Sequence, residues 1–195
     1  MIKGIIFDLD GTLVKLPTDY NIIQEKLKNI FQTKKQFSPL IPSIVSAANE
    51  DKSKISRAFE MICEQEIDAI QNLEHMPGVN DIMNFLKTKD CMMCLVTMQC
   101  RKAAIEILNE LGITDFFSNV LTRDESYDRF EQIQQTIERM KLDPKQILVI
   151  GDTIFDMECA KKAGCLHTLI LNKNESDINL NTIKNLAEIK EMVNK

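Results

Sequence analysis

The sequence predicts an α/β fold: an open parallel sheet of about five strands with helices on both faces, plus a small all-helical insertion. Three observations predict this class. Short apolar runs recur along the chain, amphipathic stretches with helical spacing lie between them, and one long region contains no strand pattern. Short runs that are apolar on both faces are typical of strands in a buried parallel sheet. Strands alternating with helices form βαβ units, whose right-handed crossovers place helices on both faces.

Five apolar runs are predicted as strands, at residues 3–7, 92–96, 118–121, 147–150 and 166–171. Amphipathic stretches at residues 79–88, 101–111, 130–141 and 155–163 are predicted as the helices that connect and follow them. The tail from residue 172 is polar at first, and the spacing of Ile183, Leu186, Ile189 and Met192 then predicts a final helix.

The region from residue 15 to residue 75 breaks this alternation, because it shows no convincing strand. Residues 21–31 have helical spacing, and Pro42 is expected near the start of the next helix. Residues 43–73 form one long charged amphipathic stretch, and Pro77-Gly78 marks the return to the sheet. We therefore expect one α/β domain made of residues 1–14 and 76–195, with residues 15–75 inserted as a helical unit.

Composition limits the class of partner and the compartment. The 195 residues carry a net charge of −5, so a nucleic acid is not expected as the main partner. No apolar stretch approaches the roughly 20 residues of a membrane span. The chain turns acidic at Asp8, too early for a signal peptide, and six cysteines are too few for a disulfide scaffold. We expect a cytoplasmic protein, as a monomer or a homodimer, with no membrane partner.

Carboxylates and one hydroxyl follow three of the predicted strands. Asp8 and Asp10 end the first strand, Thr97 ends the second, and Asp152 and Asp156 follow the fourth. Ligands of open α/β sheets bind beyond the carboxyl ends of the strands, so these groups should converge. Carboxylates packed together repel one another unless a cation lies between them. Oxygen ligands without paired histidines favour Mg²⁺.

The spacing of the first two carboxylates also has a meaning. Residues two apart on an extended strand point the same way, so Asp8 and Asp10 can face one substrate, one as nucleophile and one as acid and base. Gly11 lets the chain leave the strand in a conformation that other residues resist. A polar turn after a strand would explain residues 8–12 taken alone. The later strand that ends in Gly-Asp-Thr favours a functional site instead.

The motifs together resemble a known family. Residues 8–14 (DLDGTLV) look like the first motif of the haloacid dehalogenase superfamily, Thr97 resembles its second, and residues 150–156 (IGDTIFD) resemble its fourth. Residues 77–79 resemble the segment that follows the cap in its phosphoglycolate-phosphatase-like branch. The resemblance covers nearly the whole chain in order. It implies a Rossmann-like core and identifies the helical insertion as the cap.

The resemblance implies a role for each matching residue. Asp8 would attack phosphorus and form an aspartyl-phosphate, and Asp10 would protonate the leaving oxygen and then activate water. Thr97 and neighbouring backbone N–H groups would hold the phosphoryl oxygens. Mg²⁺ would bind Asp8, the backbone carbonyl of Asp10, and Asp152.

The resemblance also implies roles for three residues next to the metal ligands and the phosphate-binding segment. Thr12 would lie one layer out from the ligands, and Asp156 would orient the water molecules of the metal or contact the cation of the third motif. Met98 follows Thr97 where the family more often has a small or amide residue. It would line the phosphate pocket and narrow it, or point into the core.

The third motif departs from the family pattern. The family expects a lysine, often before proline, and residues 122–132 contain neither. Counting back from Gly151 and Asp152 favours Arg129 as the replacement, with Arg123 as the alternative. An arginine can neutralise the same charge and hold phosphate through two hydrogen bonds.

The resulting prediction is a Mg²⁺-dependent phosphomonoester hydrolase that acts on a small phosphorylated metabolite, with phosphoglycolate as the first candidate. A phosphosugar mutase of the same superfamily is one alternative. A degenerate member that binds phosphate or a protein without turnover is another, because the lysine is missing. Asp10 argues against a haloacid dehalogenase, which usually lacks the second carboxylate.

Four other residues have two interpretations. Lys15 and Arg101 are either anion contacts or ordinary surface charges. Cys91 and Cys94 have a metal or redox spacing, but they begin an apolar strand, which favours packing in the core.

Overall fold

A computed structural model describes residues 1–170 and 182–194. The strands are β1 (Gly4–Phe7), β2 (Val14–Lys15), β3 (Glu74–His75), β4 (Met92–Val96), β5 (Phe117–Leu121), β6 (Ile147–Gly151), β7 (Leu166–Ile170) and β8 (Thr182–Ile183). The helices are α1 (Tyr20–Phe31), α2 (Leu40–Ala48), α3 (Lys52–Ile70), α4 (Val79–Thr88), α5 (Arg101–Glu110), α6 (Arg129–Met140), α7 (Ile154–Lys162) and α8 (Ile189–Val193).

Six strands form a parallel sheet in the order β5-β4-β1-β6-β7-β8, so the α/β class is confirmed. β1 lies in the middle, with Phe7 opposite Leu95 on one side and Ile150 on the other. Ile5, Ile6 and Phe7 are fully buried because the strand is covered on both faces. Burying each such side chain contributes about 1.5–3 kcal/mol, which explains the continuous apolar run.

The five predicted strands and the four predicted helices of this sheet are present, with ends that differ by at most one residue within the described chain. The prediction for the tail is partly wrong. Ile183 lies in β8, beside β7, and the final helix begins only at Ile189. Leu171, at the end of the fifth predicted strand, and the polar start of the tail lie outside the described residues.

The chain divides into two compact units. The first comprises Met1–Lys15 and Glu74–Lys195, and the second is Leu16–Leu73. In the first unit β2 and β3 pair antiparallel, with Val14 opposite His75 and Lys15 opposite Glu74. The expectation of no strand between residues 15 and 75 is therefore wrong at both ends of that region. Strands of two residues are too short to produce an apolar run.

The second unit contains three helices around its own core. The carboxylate of Asp19 caps α1 by accepting from the N–H groups of Asn21 and Ile22. The expectation of one helical stretch over residues 43–73 is wrong, since α2 ends at Ala48 and α3 begins at Lys52. Asn49 and Glu50 are left-handed, with φ of 47° and 68°, and Asp51 caps α3. The core of this unit comprises Ile23, Leu27, Phe37, Ile41, Ile44, Ala58 and Ile62.

None of the helices in the described residues is long and apolar enough to cross a membrane.

Candidate active site

The loop after β1 brings two chain segments into contact. The Leu9 carbonyl accepts from the N–H groups of Leu13 and Val14, which closes a tight turn over Asp10 and Gly11. Gly11 has a φ of +81°, and a Cβ added there would lie 2.0 Å from Oδ2 of Asp152. A side chain is excluded for both reasons. Glycine at this position therefore lets the Asp152 carboxylate lie directly against the loop that follows Asp8.

The loop after β6 orients the last carboxylate. Thr153 caps α7, with its hydroxyl accepting from the N–H of Asp156 at 3.2 Å while the Asp156 carboxylate accepts from the N–H of Thr153 at 3.3 Å. This reciprocal capping box fixes the Asp156 side chain at the start of the helix. A Cβ on Gly151 would lie 2.6 Å from the Cβ of Asp156. Only glycine therefore fits at the end of β6, where the Asp156 side chain lies against the backbone.

Arg129 joins the first and fourth motifs. It is the first residue of α6 and only 6% exposed. Its Nη2 lies 2.7 Å from Oδ1 of Asp8, and its Nε lies 3.1 Å from Oδ1 of Asp156. Its Nη1 donates to the carbonyl of Val96 at 2.8 Å, at the end of β4. A cation at a helix N-terminus opposes the helix dipole, and these two buried ion pairs offset that cost.

The carboxylates perturb one another strongly. Burial raises the pKa of Asp8 to about 8; the Arg129 charge opposes this rise, and Asp156 and Asp152 add to it. Burial, Asp156 and Asp10 raise the pKa of Asp152 to about 6. Four carboxylates are thus close enough to repel one another, which is the arrangement that a divalent cation relieves.

The donor set fits Mg²⁺. Asp8 and Asp152 offer carboxylate oxygens without histidine or thiolate, and the turn at Gly11 leaves the Asp152 carboxylate against the Asp10 segment. Asp156 is held instead by Arg129 and Thr153. The contact that the sequence suggested between Asp156 and the replacement cation is therefore present.

The second-motif segment follows β4. Thr97 is fully buried, and its N–H donates to the carbonyl of Leu121 at 3.0 Å. The Thr97 hydroxyl accepts from the N–H of Gln99 at 3.2 Å and donates to the Gln99 side-chain oxygen. Met98 is half-buried, and its carbonyl accepts from Nη1 of Arg123. Arg123 is thus buried behind the Thr97 segment, whereas Arg129 contacts Asp8.

The remaining sequence candidates fall elsewhere. Thr12 is fully buried, and its hydroxyl has no hydrogen-bond partner among the described residues. Arg101 pairs with Glu125, and Lys15 lies 4.0 Å from Glu74 on the surface. Cys91 and Cys94 are free, buried thiols, as core packing predicts, and burial raises the pKa of Cys91 to about 11.

Sequence reasoning missed Gln132, Gln99 and Thr153. Gln132 is fully buried on α6, one turn after Arg129, and it contacts the Thr97 carbonyl. A buried glutamine in a polar helix looks like a surface residue, so only its i+3 spacing from Arg129 could have indicated it. Thr153 and Asp156 carry a capping signature that was readable as a helix start.

Comparison with known proteins agrees with this geometry. The family model described as haloacid dehalogenase-like hydrolase matches residues 5–170. The chain is 25% identical over 177 residues to a phosphoglycolate phosphatase of Synechococcus elongatus, covering 84% of this chain and 81% of the relative. It is also 25% identical over 177 residues to the pyrophosphatase PpaX of Oceanobacillus iheyensis, covering 84% and 80%.

The fold also matches solved structures. One from Haemophilus somnus, described as a predicted phosphoglycolate phosphatase, superposes with a TM-score of 0.72 at 21% identity, covering 98% of this chain and 97% of that one. At this identity the likeness shows the fold alone. The family match spans the β1, β4 and β6 motifs and the α6 segment that carries Arg129. The chain therefore belongs to the haloacid dehalogenase-like hydrolase family.

Proposed function

We propose that this hydrolase is a phosphatase that cleaves a small phosphate monoester through an aspartyl-phosphate on Asp8. The observation that carries the proposal is the buried contact of Arg129 with both Asp8 and Asp156. An arginine so placed supplies the positive charge that the missing lysine would supply. It supports a working catalytic site over a degenerate one.

In the first step, a carboxylate oxygen of Asp8 attacks phosphorus, and the bond between phosphorus and the ester oxygen breaks. Arg129 favours the ionised form of Asp8 by opposing the rise of its pKa, and it fixes the direction of the carboxylate. Asp10 donates a proton to the departing ester oxygen, so an alcohol leaves.

In the second step, Asp10, now a carboxylate, takes a proton from a water molecule. The water oxygen attacks phosphorus, the bond between phosphorus and Asp8 breaks, and inorganic phosphate forms while Asp8 becomes a free carboxylate. Thr97 and the backbone N–H groups beside it would hold the phosphoryl oxygens in both steps.

Asp8, Asp152 and the backbone carbonyl of Asp10 would hold Mg²⁺. When bound, this ion reduces the repulsion between carboxylates and phosphate. The raised pKa values of Asp8 and Asp152 support this assignment, because burial in the first place, and neighbouring carboxylates in the second, disfavour the charged forms that a bound cation would stabilise.

We also propose that the helical unit Leu16–Leu73 acts as the cap, and that it selects the part of the substrate other than phosphate. Phosphoglycolate and pyrophosphate are the first substrates to test, since two relatives carry names that refer to these compounds.

The test measures phosphate release from an aryl phosphate, phosphoglycolate and pyrophosphate, with Mg²⁺ and with a chelator. The variants are wild type, Asp8→Asn, and Asp115→Asn as the matched control, since Asp115 is exposed in the short 3-10 helix Thr114–Phe116 before β5. We expect turnover by wild type and Asp115→Asn that needs Mg²⁺, and none by Asp8→Asn. Turnover that survives in Asp8→Asn would contradict the proposed nucleophile.

A further inference from the structure

Four consecutive backbone carbonyls after β4 are all held by one later segment, residues 123–132. The contacts are Val96 to Nη1 of Arg129 at 2.8 Å, Thr97 to Nε2 of Gln132 at 2.9 Å, Met98 to Nη1 of Arg123, and Gln99 to the N–H of Arg123 at 3.1 Å. We call this set of contacts the carbonyl clamp. It ties the backbone around Thr97 to that later segment.

Gln132 holds the second carbonyl of the clamp. It is fully buried, and its Nε2 donates both hydrogens, one to the carbonyl of Thr97 and the other to the carbonyl of Ser126 at 2.8 Å. Two buried hydrogen bonds from one amide nitrogen leave that nitrogen no alternative orientation. The carbonyl of Thr97 is therefore fixed in direction as well as in position.

Because one peptide group carries both, fixing the carbonyl of Thr97 also fixes the N–H of Met98. The peptide between Thr97 and Met98 is planar and trans, so its N–H points opposite to its carbonyl. Because the carbonyl of Thr97 faces Gln132, the N–H of Met98 faces away from α6. The next N–H, of Gln99, donates to the Thr97 hydroxyl at 3.2 Å. The N–H of Met98 thus lies on the side of the peptide opposite to Gln132.

We propose that Gln132 is a positioning residue for phosphate binding: it holds the Thr97–Met98 peptide so that the N–H of Met98 donates to a phosphoryl oxygen. This inference rests on the proposed function, since it assigns a donor to the same site. Without the Gln132 amide, the carbonyl of Thr97 loses its buried partner, and the peptide can rotate to reach another donor. The N–H would then be lost to phosphate for part of the time.

The test measures the Kd of inorganic phosphate by calorimetry in the presence of Mg²⁺, together with kcat, KM and Tm. The variants are wild type, Gln132→Met, which keeps the length of the side chain, and Gln134→Met as the matched control. Gln134 is exposed on the same helix. We expect Gln132→Met to bind phosphate about tenfold more weakly and to raise KM more than it lowers kcat. Gln134→Met should match wild type.

A merely structural role would lower the Tm of Gln132→Met and leave its phosphate Kd unchanged, and that result would overturn the proposal. Failure of wild type to bind phosphate would also overturn it. If wild type binds phosphate and Gln132→Met binds it tenfold more weakly, but no substrate is turned over, the inference stands and the proposed hydrolysis fails.

A second measurement uses wild type alone and does not depend on the folding of a variant. Titration with phosphate and Mg²⁺ should shift the amide resonance of Met98, whereas the amide of Glu138, exposed on α6, should not move. An unperturbed Met98 amide at saturating phosphate would overturn the assignment of this donor.

Discussion

Replacing Arg129 with methionine removes a side chain that contacts both Asp8 and Asp156. The side chain is 7% exposed, and its two ion-pair distances are 2.7 and 3.1 Å. Breaking a buried ion pair by removing one partner typically costs about 3–5 kcal/mol, because the remaining charge stays buried. We expect the free energy of unfolding to fall by about this amount at pH 8.

The cost should depend on pH. Asp8 already has a pKa near 8 with Arg129 present, and Arg129 acts to lower it. In Arg129→Met the pKa of Asp8 rises further. At low pH Asp8 then keeps its proton, so it adds no uncompensated buried charge to the folded state. The part of the stability loss that comes from Asp8 should therefore stay constant below about pH 7 and grow as the pH rises through 8 to 9. Each unit by which the pKa rises also cuts the ionised fraction of Asp8 at pH 7 about tenfold.

Urea unfolding at pH 6, 8 and 9, and kcat/KM with Mg²⁺ at pH 7, measure both effects. We expect kcat/KM to fall at least about 100-fold, as for loss of an oriented charge in a buried site. Arg139→Met is the matched control, since Arg139 is exposed near the other end of α6 and donates to the side-chain oxygen of Asn119 at 2.8 Å. Activity within threefold of wild type, with a stability loss under about 1 kcal/mol at pH 8, would refute the assigned role.

Three further predictions concern the carboxylates and the turn beside them. Gly11→Ala should abolish Mg²⁺-dependent phosphate release, because the added Cβ would lie 2.0 Å from Oδ2 of Asp152. The control is Gly112→Ala, which also has a positive φ, of +66°, but has open space around the added Cβ. It should retain phosphate release and lower the free energy of unfolding, measured in urea, by only about 1 kcal/mol. In chelator, wild type should lose stability as the pH rises from about 4 to 8 for Asp8 and from about 4 to 6 for Asp152, by up to about 1.4 kcal/mol per pH unit for each, because their raised pKa values make the folded state bind more protons than the unfolded state; a flat urea profile would contradict this. Mg²⁺ should raise the Tm at pH 8, and Asp152→Asn should remove most of that rise in a thermal scan.

The parallel sheet was predictable because its physics is local. A strand buried on both faces must be apolar at every position, so β1, β4 and β6 stand out from the sequence. The polar residue that follows each of them is then placed at one sheet edge by topology alone. The pair β2 and β3 was missed because two residues do not form a pattern.

The break between α2 and α3 was missed for a different reason. Amphipathic spacing continues through it, but Asn49 and Glu50 adopt left-handed conformations and Asp51 caps the next helix. A cluster of Asn, Glu and Asp in that order carries both signals, a left-handed C-terminus followed by an N-cap. The prediction of one helical stretch relied on the amphipathic spacing and overlooked these local signals.

The motifs that form the candidate site were predictable from the sequence, but the contacts between their side chains were not. The position of Arg129 followed from counting back from Gly151 and Asp152, and its contact with Asp8 was not readable because 121 residues separate the two. Gln132 could not be found, since burial of a polar side chain depends on which carbonyls its helix meets. Such contacts between distant segments are set by packing, which sequence periodicity does not encode.

The small antiparallel pair of β2 and β3 has a consequence for protein engineering of the inserted segment. It brings Lys15 and Glu74 side by side within the sheet-containing unit, so the two ends of Leu16–Leu73 are tied together at their base. A tight two-residue turn can close such a pair, and the entropy cost of closing a loop depends only weakly on its length. We therefore expect that the inserted segment can be shortened or replaced without changing the order of any strand in the sheet.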